Sequence, residues 1–267
     1  MRWNCITDRD PHPCADPRDR GLHYGDGLFE TLLMSDGVLL YGSAHFQRLT
    51  RDAARLGIPC PDESWLLEAL EPYRERGRKR ILKLILTRGI TERGAAWPTD
   101  PRPSIYMSEH PYNKNKQEVS AVFSNHSLPE NPALAGIKHL NRLDYVLASR
   151  ELTALEDTEQ LILCAADGRV IETLVHNLFL VRDGEIRTPA LDRCGVNGVM
   201  RGEVIKRLEQ AGKAVRIDDC SRTDLLNADE CFVCNSVQGV RALTRIGDRS
   251  LPVGPVTRNL QRIFDGH

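Results

Sequence analysis

Leu134-Ala-Gly-Ile-Lys-His-Leu-Asn-Arg-Leu143 sets a lysine behind a strand-like Gly-Ile entry and just ahead of leucines at helical spacing. An amine held there is partly desolvated and fixed in place. That lowers its pKa and makes it usable as a nucleophile toward a carbonyl carbon. Lysine is also scarce. Of 36 basic residues only seven are Lys (79, 83, 114, 116, 138, 206 and 213), and the remainder are Arg, which stays charged at any working pH. Lys79 lies in the charged run 74–80, Lys114 and Lys116 in a polar stretch, and Lys206 and Lys213 on a helix and its exit, so all five read as solvated. Lys83, inside the strand pattern Ile81-Leu-Lys-Leu-Ile-Leu86, and Lys138 remain as sites for amine chemistry.

The composition is that of an ordinary globular chain, with 267 residues, 41% hydrophobic, 27% charged, and long enough to bury a core without staples. A net charge of −1 gives no global pull toward nucleic acid or an anionic membrane. No run approaches the ~18 apolar residues of a membrane span. The first ten residues lack the apolar stretch of a secretory signal, so a cytoplasmic protein with reduced thiols is expected. Cys231-Phe-Val-Cys234 reads as core thiols on a buried strand. Cys5, His12 and Cys14 are irregularly spaced and lack a second Cys pair, so no metal is expected. The run Arg74-Glu-Arg-Gly-Arg-Lys-Arg80 reads as a solvated helix end and turn.

Three Asp-Gly pairs, 36–37, 167–168 and 183–184, sit between apolar runs and signal hairpins with type I′ turns. Ser43 is placed to cap a helix carrying Phe46, Leu49, Ala53 and Leu56, stopped by Gly57. Further helices are expected over 63–76 with Pro72 kinking or ending it, after Lys138 with Leu140, Leu143 and Leu147 on one face, over 199–211, and over 255–264. Strands are expected at 80–87, 104–107, 119–123, 159–164, 215–218 and 230–234. The polar stretch 108–117 lacks periodicity and reads as an interdomain linker. The expected organisation is α+β with two domains: a small N-terminal domain over 1–112, a linker at 113–118, and a larger C-terminal domain over 119–267 carrying Lys138.

Two further segments bear on Lys138. Glu172 ends one hairpin arm in apolar company, and a carboxylate there can keep a heteroaromatic nitrogen protonated. Gly195-Val-Asn-Gly-Val-Met-Arg201 is a glycine-containing turn opening a helix, whose amides and positive dipole end suit a phosphate. A lysine, an acidic partner and a phosphate cradle are what pyridoxal phosphate requires of a protein.

Together these segments resemble the fold-type IV pyridoxal-phosphate enzymes, the group of branched-chain and D-amino-acid aminotransferases and 4-amino-4-deoxychorismate lyases. The resemblance runs from Asp19 to Val240. Its landmarks keep the family order: Tyr24-Gly-Asp-Gly-Leu-Phe-Glu30, Ala44-His-Phe-Gln-Arg-Leu49, Gly136-Ile-Lys-His-Leu-Asn-Arg-Leu143, Glu172 followed by Asn177-Leu-Phe, and Gly195 to Arg201. It implies that Lys138 forms the Schiff base and shuttles protons, that Glu172 partners the pyridine nitrogen, and that Arg48 binds the phosphate. It further implies that the turn residues Asn197 and Gly198 with the amides of Val199 and Met200 cradle the phosphate, that Val196 packs beneath the ring, and that Ser236 supplies a phosphate-binding hydroxyl. After Glu172 many aminotransferases place Gly or Ser, whereas Thr173-Leu-Val-His176 follows here, which shifts weight to Arg48 and the helix-end amides.

Within that group the Gly136–Leu143 and Gly195–Arg201 blocks look most like the lyases. This implies conversion of 4-amino-4-deoxychorismate to 4-aminobenzoate and pyruvate, with aminotransferase activity as the alternative and a non-catalytic homologue as the remote one. Thr31 aligns with a lyase threonine where aminotransferases often carry Gly, implying a part in proton handling. Two substrate carboxylates call for polar groups at the mouth, with Arg93 implied first and Tyr24 and Asn235 as further pocket residues. The group also implies a homodimer.

Overall fold

Along residues 80–86 buried and half-buried side chains alternate, and that alternation sorts the two faces of the sheet they join. In the computed structural model, which describes residues 3–5, 15–91, 94–113 and 116–264, the chain is α+β. It divides into two compact units, Met1–Asn113 with Lys138–Asn141, and Lys114–Ile137 with Arg142–His267.

The first unit contains β1 (Trp3–Cys5), α1 (Arg20–Tyr24), β2 (Gly27–Ser35), β3 (Val38–Leu39), α2 (Gly42–Leu56), α3 (Glu63–Leu70), β4 (Lys79–Thr87) and β5 (Ser104–Pro111). Its antiparallel sheet has the order β1-β5-β4-β2-β3. β2 and β4 pair over their full length, from Gly27↔Thr87 to Ser35↔Lys79. Leu28, Leu32 and Met34 of β2 and Leu82, Leu84 and Leu86 of β4 point to one face and are buried, as are Phe46, Leu49 and Ala53 of α2. The opposite face, with Phe29, Thr31, Ile81, Lys83 and Ile85, is only half-buried. That half-open face carries chemistry.

Several expectations are corrected here. The α2 helix starts at Gly42 after Tyr41 in left-handed backbone (φ 56°), so Ser43 lies inside its first turn and is not the cap. Its end is as expected, at Gly57 (φ 60°). α3 stops at Leu70, and Pro72 sits in a 3-10 turn over Glu71–Tyr73, near whose start its missing N–H is not needed. Arg80 is buried on Glu75 and Glu109, so the basic run is not wholly solvated. The first half of the expected linker is strand. Ser108 and His110 pair with Lys83 and Ile81, because the waiting ladder of β4 outweighs polar composition. Lys114 and Asn115 lie outside the described residues, as do the side chains of Cys5, His12 and Cys14.

The second unit contains β6 (Glu118–Leu128), α4 (Leu143–Ser149), β7 (Gln160–Ala165), β8 (Val170–Thr173), β9 (Asn177–Arg182), β10 (Glu185–Pro189), α5 (Val199–Gln210), β11 (Val215–Asp218), α6 (Arg222–Leu226), β12 (Glu230–Asn235), β13 (Gly239–Ile246), β14 (Arg249–Ser250) and α7 (Pro255–Phe264). The mixed sheet runs β11-β10-β9-β12-β13-β6-β7-β8, with β14 on β13. Both faces are covered. Ile162 and Cys164 pack with Leu178, Leu180, Cys231 and Val233, whereas Leu161, Leu163 and Ala165 pack with Ile171 on the other side.

Asp36-Gly37 and Asp183-Gly184 each have φ > 0 at both positions, as type I′ turns require. Asp167-Gly168 differs: only Gly168 is left-handed (φ 89°), and the register shifts between Leu163 and Cys164, so this hairpin closes with a bulge. α4 also departs from expectation. Leu140 precedes it, paired through its N–H to Gly27, and Leu143 and Leu147 are exposed, so the leucine face does not enter the core. No helix among the described residues is long and apolar enough to cross a membrane.

Candidate active site

In the C-terminal unit the site is built around Glu172, near the end of β8. Pairing of Leu163 with Glu172 and cover from neighbouring segments leave it 4% exposed. Its carboxylate accepts three hydrogen bonds: the Tyr145 hydroxyl at 2.5 Å, Asn177 Nδ2 at 3.1 Å and the Val196 N–H at 3.1 Å. Asn177 also donates to the Val196 carbonyl at 2.8 Å and accepts the Gly198 N–H at 3.1 Å, clamping the 195–198 turn. Gly136 bridges Val196 in parallel, donating to the Gly195 carbonyl and accepting from Asn197, each at 3.0 Å. Within the second unit, Gly136 is thereby tied to the turn that holds Glu172.

That turn opens α5. Its N-cap is Gly198, with no side-chain cap, so the Val199 and Met200 amides at the positive end of the helix are offered no oxygen by the cap residue. A Cβ at 198 would lie 2.1 Å from Asn177 Oδ1, so only glycine fits. Arg201 is buried behind this end and donates to Asn197 Oδ1, Thr188 Oγ1 and the Pro189 carbonyl. Ser236 is half-buried in the β12–β13 turn. Asn235 closes that turn, its Oδ1 accepting from Val237 and Gln238 and its Nδ2 donating to Val175.

In the N-terminal unit, Lys138 extends the sheet by a short strand-like pairing. Phe29 N–H donates to the Lys138 carbonyl at 3.0 Å, Leu140 N–H to Gly27 at 2.9 Å, and Leu28 bridges His139. These bonds place Lys138–Asn141 with the first unit, whereas the sequence assigns the lysine to the C-terminal domain. Antiparallel pairing puts Lys138 opposite Phe29 and on its face, with Nζ 4.2 Å from the ring centre. The Lys138 backbone N–H donates to the buried Asp52 of α2.

Period two puts Thr31 on the same face as Phe29, and Lys83 stands opposite Thr31. Lys83 Nζ is 5.1 Å from the Phe29 ring, and burial lowers its pKa. Two amines and a hydroxyl thus share one half-open face, which suits proton transfer and anion binding. Lys83 was one of two lysines left by the sequence; matching its strand parity to Phe29 and Thr31 would have kept it.

Arg48 lies on the other face. It is buried, although its helical pattern alone reads as surface, and grips Glu30 through Nε at 2.8 Å and Nη2, while His45 Nδ1 contacts the same carboxylate at 2.7 Å. Burial pushes Glu30 up, but Arg48 and His45 outweigh it and hold the carboxyl at about 2, against 4.5 ordinarily. A depressed carboxyl contributes stability above its unfolded pKa and loses it as pH falls toward the folded one. Denaturant midpoints should therefore drop between about pH 4.5 and pH 2, and Glu30→Gln should flatten that part of the profile. At neutral pH the same variant should lose about 3–5 kcal/mol, because Arg48 stays buried without its anion.

Tyr24 has Arg20 over its ring at 4.9 Å, and its hydroxyl accepts the Gly94 N–H at 3.2 Å. Arg93 lies outside the described residues. Sequence reasoning missed two residues that hold Glu172. Tyr145 was hidden in a helix read only for its leucines, and Asn177 served as a landmark with no role attached.

The chain matches the family described as amino-transferase class IV over residues 27–246. It is 33% identical over 252 residues to the aminodeoxychorismate lyase of Vibrio harveyi, covering 91% of this chain and 93% of that protein. It is 27% identical over 256 residues to the D-alanine aminotransferase of Bacillus licheniformis, covering 93% and 90%. The crystal structure of 4-amino-4-deoxychorismate lyase from Pseudomonas aeruginosa superposes with a TM-score of 0.88 at 38% identity, covering 95% of each chain. A family match over residues 27–246, with a relative 33% identical across 91% of this chain, shows that the chain belongs to the class IV aminotransferases.

Proposed function

We propose that the protein is a pyridoxal-phosphate-dependent lyase that converts 4-amino-4-deoxychorismate to 4-aminobenzoate and pyruvate. The observation that carries this reading is the row on the half-open face of the N-terminal sheet, where Lys138, Thr31 and Lys83 stand around Phe29. The similarity to lyases at 33% and 38% identity supports it.

The residues fit the cofactor. Glu172 is a buried carboxylate already held by three donors, and α5 begins without a side-chain cap, leaving its first amides for an anion. Pyridoxal phosphate, when bound, supplies an electron sink for a carbanion formed beside the substrate amine. Lys138 would hold the cofactor through Nζ, and the same amine is placed to take the proton from the amine-bearing carbon of the substrate. Glu172 would face the ring nitrogen and keep it protonated. The Val199 and Met200 amides, with Asn197, Gly198 and Ser236 of the second unit and Arg48 of the first, would be the groups that bind the phosphate, and Val196 would supply an apolar contact to the ring. Glu30 fixes the plane of the Arg48 guanidinium for that task. Thr31 hands a proton to the departing enolpyruvyl group. Lys83 and Arg93 would offer cations to the substrate carboxylates, and Tyr24 and Asn235 would offer neutral hydrogen-bonding groups. The same reading takes the protein as a cytoplasmic homodimer.

Gly198→Ala tests the cradle separately. The added Cβ displaces Asn177 and with it the clamp on the 195–198 turn, so cofactor Kd should rise about tenfold or more, measured by titration of the apoprotein. The reaction itself is tested by giving the holoenzyme D-alanine and 2-oxoglutarate in one arm and 4-amino-4-deoxychorismate in the other. Release of 4-aminobenzoate only in the second arm supports the lyase. Glutamate formed in the first arm, with none in the second, overturns it in favour of an aminotransferase.

A further inference from the structure

One of the donors that hold Glu172, Tyr145, lies outside the family landmarks. Tyr145 of α4 donates its hydroxyl to Glu172 Oε1, while Asn177 Nδ2 and the Val196 N–H occupy Oε2. The Tyr145 oxygen in turn accepts from the Arg142 guanidinium, which also stacks 4.6 Å from the ring centre. Arg142 Nη2 donates to the carbonyl of Ile137, the residue before Lys138, at 3.4 Å. A relay thus runs from the peptide beside the lysine, through a cation and a phenol, to the carboxylate.

We infer that Tyr145 is a positioning residue which, backed by Arg142, keeps the proton shared by Glu172 and a bound ring nitrogen on the ring. This rests on the reading of Glu172 given above. Every donor to a carboxylate stabilises its charged form and weakens its hold on a proton. A cation behind the phenol makes that phenol the stronger donor. With three donors on its two oxygens, Glu172 is a poor proton acceptor, and the nitrogen facing it retains the proton. A protonated ring is the better electron sink.

The other groups that act on Glu172 do not replace this relay. Burial, aided by the Glu172 charge, pushes the Tyr145 phenol well above its ordinary range, so it remains a donor throughout neutral pH. Cys194, before α5, is pushed up to about 11 by burial and stays a neutral thiol. Arg201 of α5 is a fixed cation committed to Asn197, Thr188 and Pro189. Tyr145 is the member that one oxygen's removal tests cleanly.

Tyr145→Phe keeps the ring and its stacking and deletes only that oxygen. The holoenzyme would be loaded with pyridoxal phosphate labelled at the ring nitrogen, and its magnetic-resonance shift read beside kcat and KM. In the parent the shift should be that of a protonated nitrogen. In the variant it should move toward the unprotonated value, with kcat down about tenfold, KM near the parent's and the unfolding midpoint somewhat lowered by the loss of one donor to a buried carboxylate. A variant with the parent's shift and kcat overturns the inference. So does a parent that binds the cofactor with an unprotonated ring, although cofactor binding itself then stands. A parent that binds no cofactor fails the underlying reading and the inference together, so the two failures are told apart.

Discussion

Lys138→Ala should replace the absorption band of lysine-linked pyridoxal phosphate with that of the free aldehyde and slow 4-aminobenzoate release by at least about 10⁴-fold, as expected when one amine serves as both nucleophile and base. The backbone of residue 138 carries the local structure. Its carbonyl accepts from Phe29 and its N–H donates to Asp52, and alanine keeps both bonds. The side chain is half-exposed, so truncation leaves no buried cavity. The unfolding midpoint of the variant should therefore stay near that of the parent. A small exogenous amine should restore part of the rate by replacing the missing base. A variant that keeps both the band and the rate would remove Lys138 from the reaction.

Glu172→Gln should leave cofactor bound but lower kcat by about 10²–10³-fold, the range seen when one preorganised charge partner of a transition state is removed. The amide cannot keep the ring nitrogen protonated. It also cannot accept on both sides, because Tyr145, Asn177 and the Val196 N–H all donate to that position. One amide N–H then faces a donor, at a stability cost of about 1–3 kcal/mol. Measuring kcat and the unfolding midpoint on the same preparation separates these effects. A rate drop without retained cofactor would place Glu172 in binding alone.

Much of the fold could be read from local chemistry. Asp36-Gly37 and Asp183-Gly184 specify type I′ turns because both central positions need φ > 0, and Gly57 ends α2 where the leucine pattern stops. Asp167-Gly168 has the same letters but a different turn, since its outcome depends on register with a partner strand. Ser108 and His110 became strand for the same reason, through a ladder that no local window contains. At the site, Lys138, Glu172 and the Gly195–Arg201 turn were legible as landmarks, each a residue type with few other uses in its setting. Tyr145 and Asn177 were not, because their work is to hydrogen-bond a carboxylate 27 and 5 residues away. Lys83 stood between the two cases. Its strand was evident, but its nearness to Phe29 follows only from the pairing of β2 with β4.

The central claim is that these residues carry out elimination with release of an aromatic amine, and the balance of products tests it most directly. The holoenzyme would be incubated with 4-amino-4-deoxychorismate and no amino acceptor, and 4-aminobenzoate and pyruvate quantified together. The lyase account predicts both products in equal amounts, over many turnovers, with the cofactor still in its starting form. Conversion of the cofactor to its amino form after one turnover, with neither product released, would contradict it.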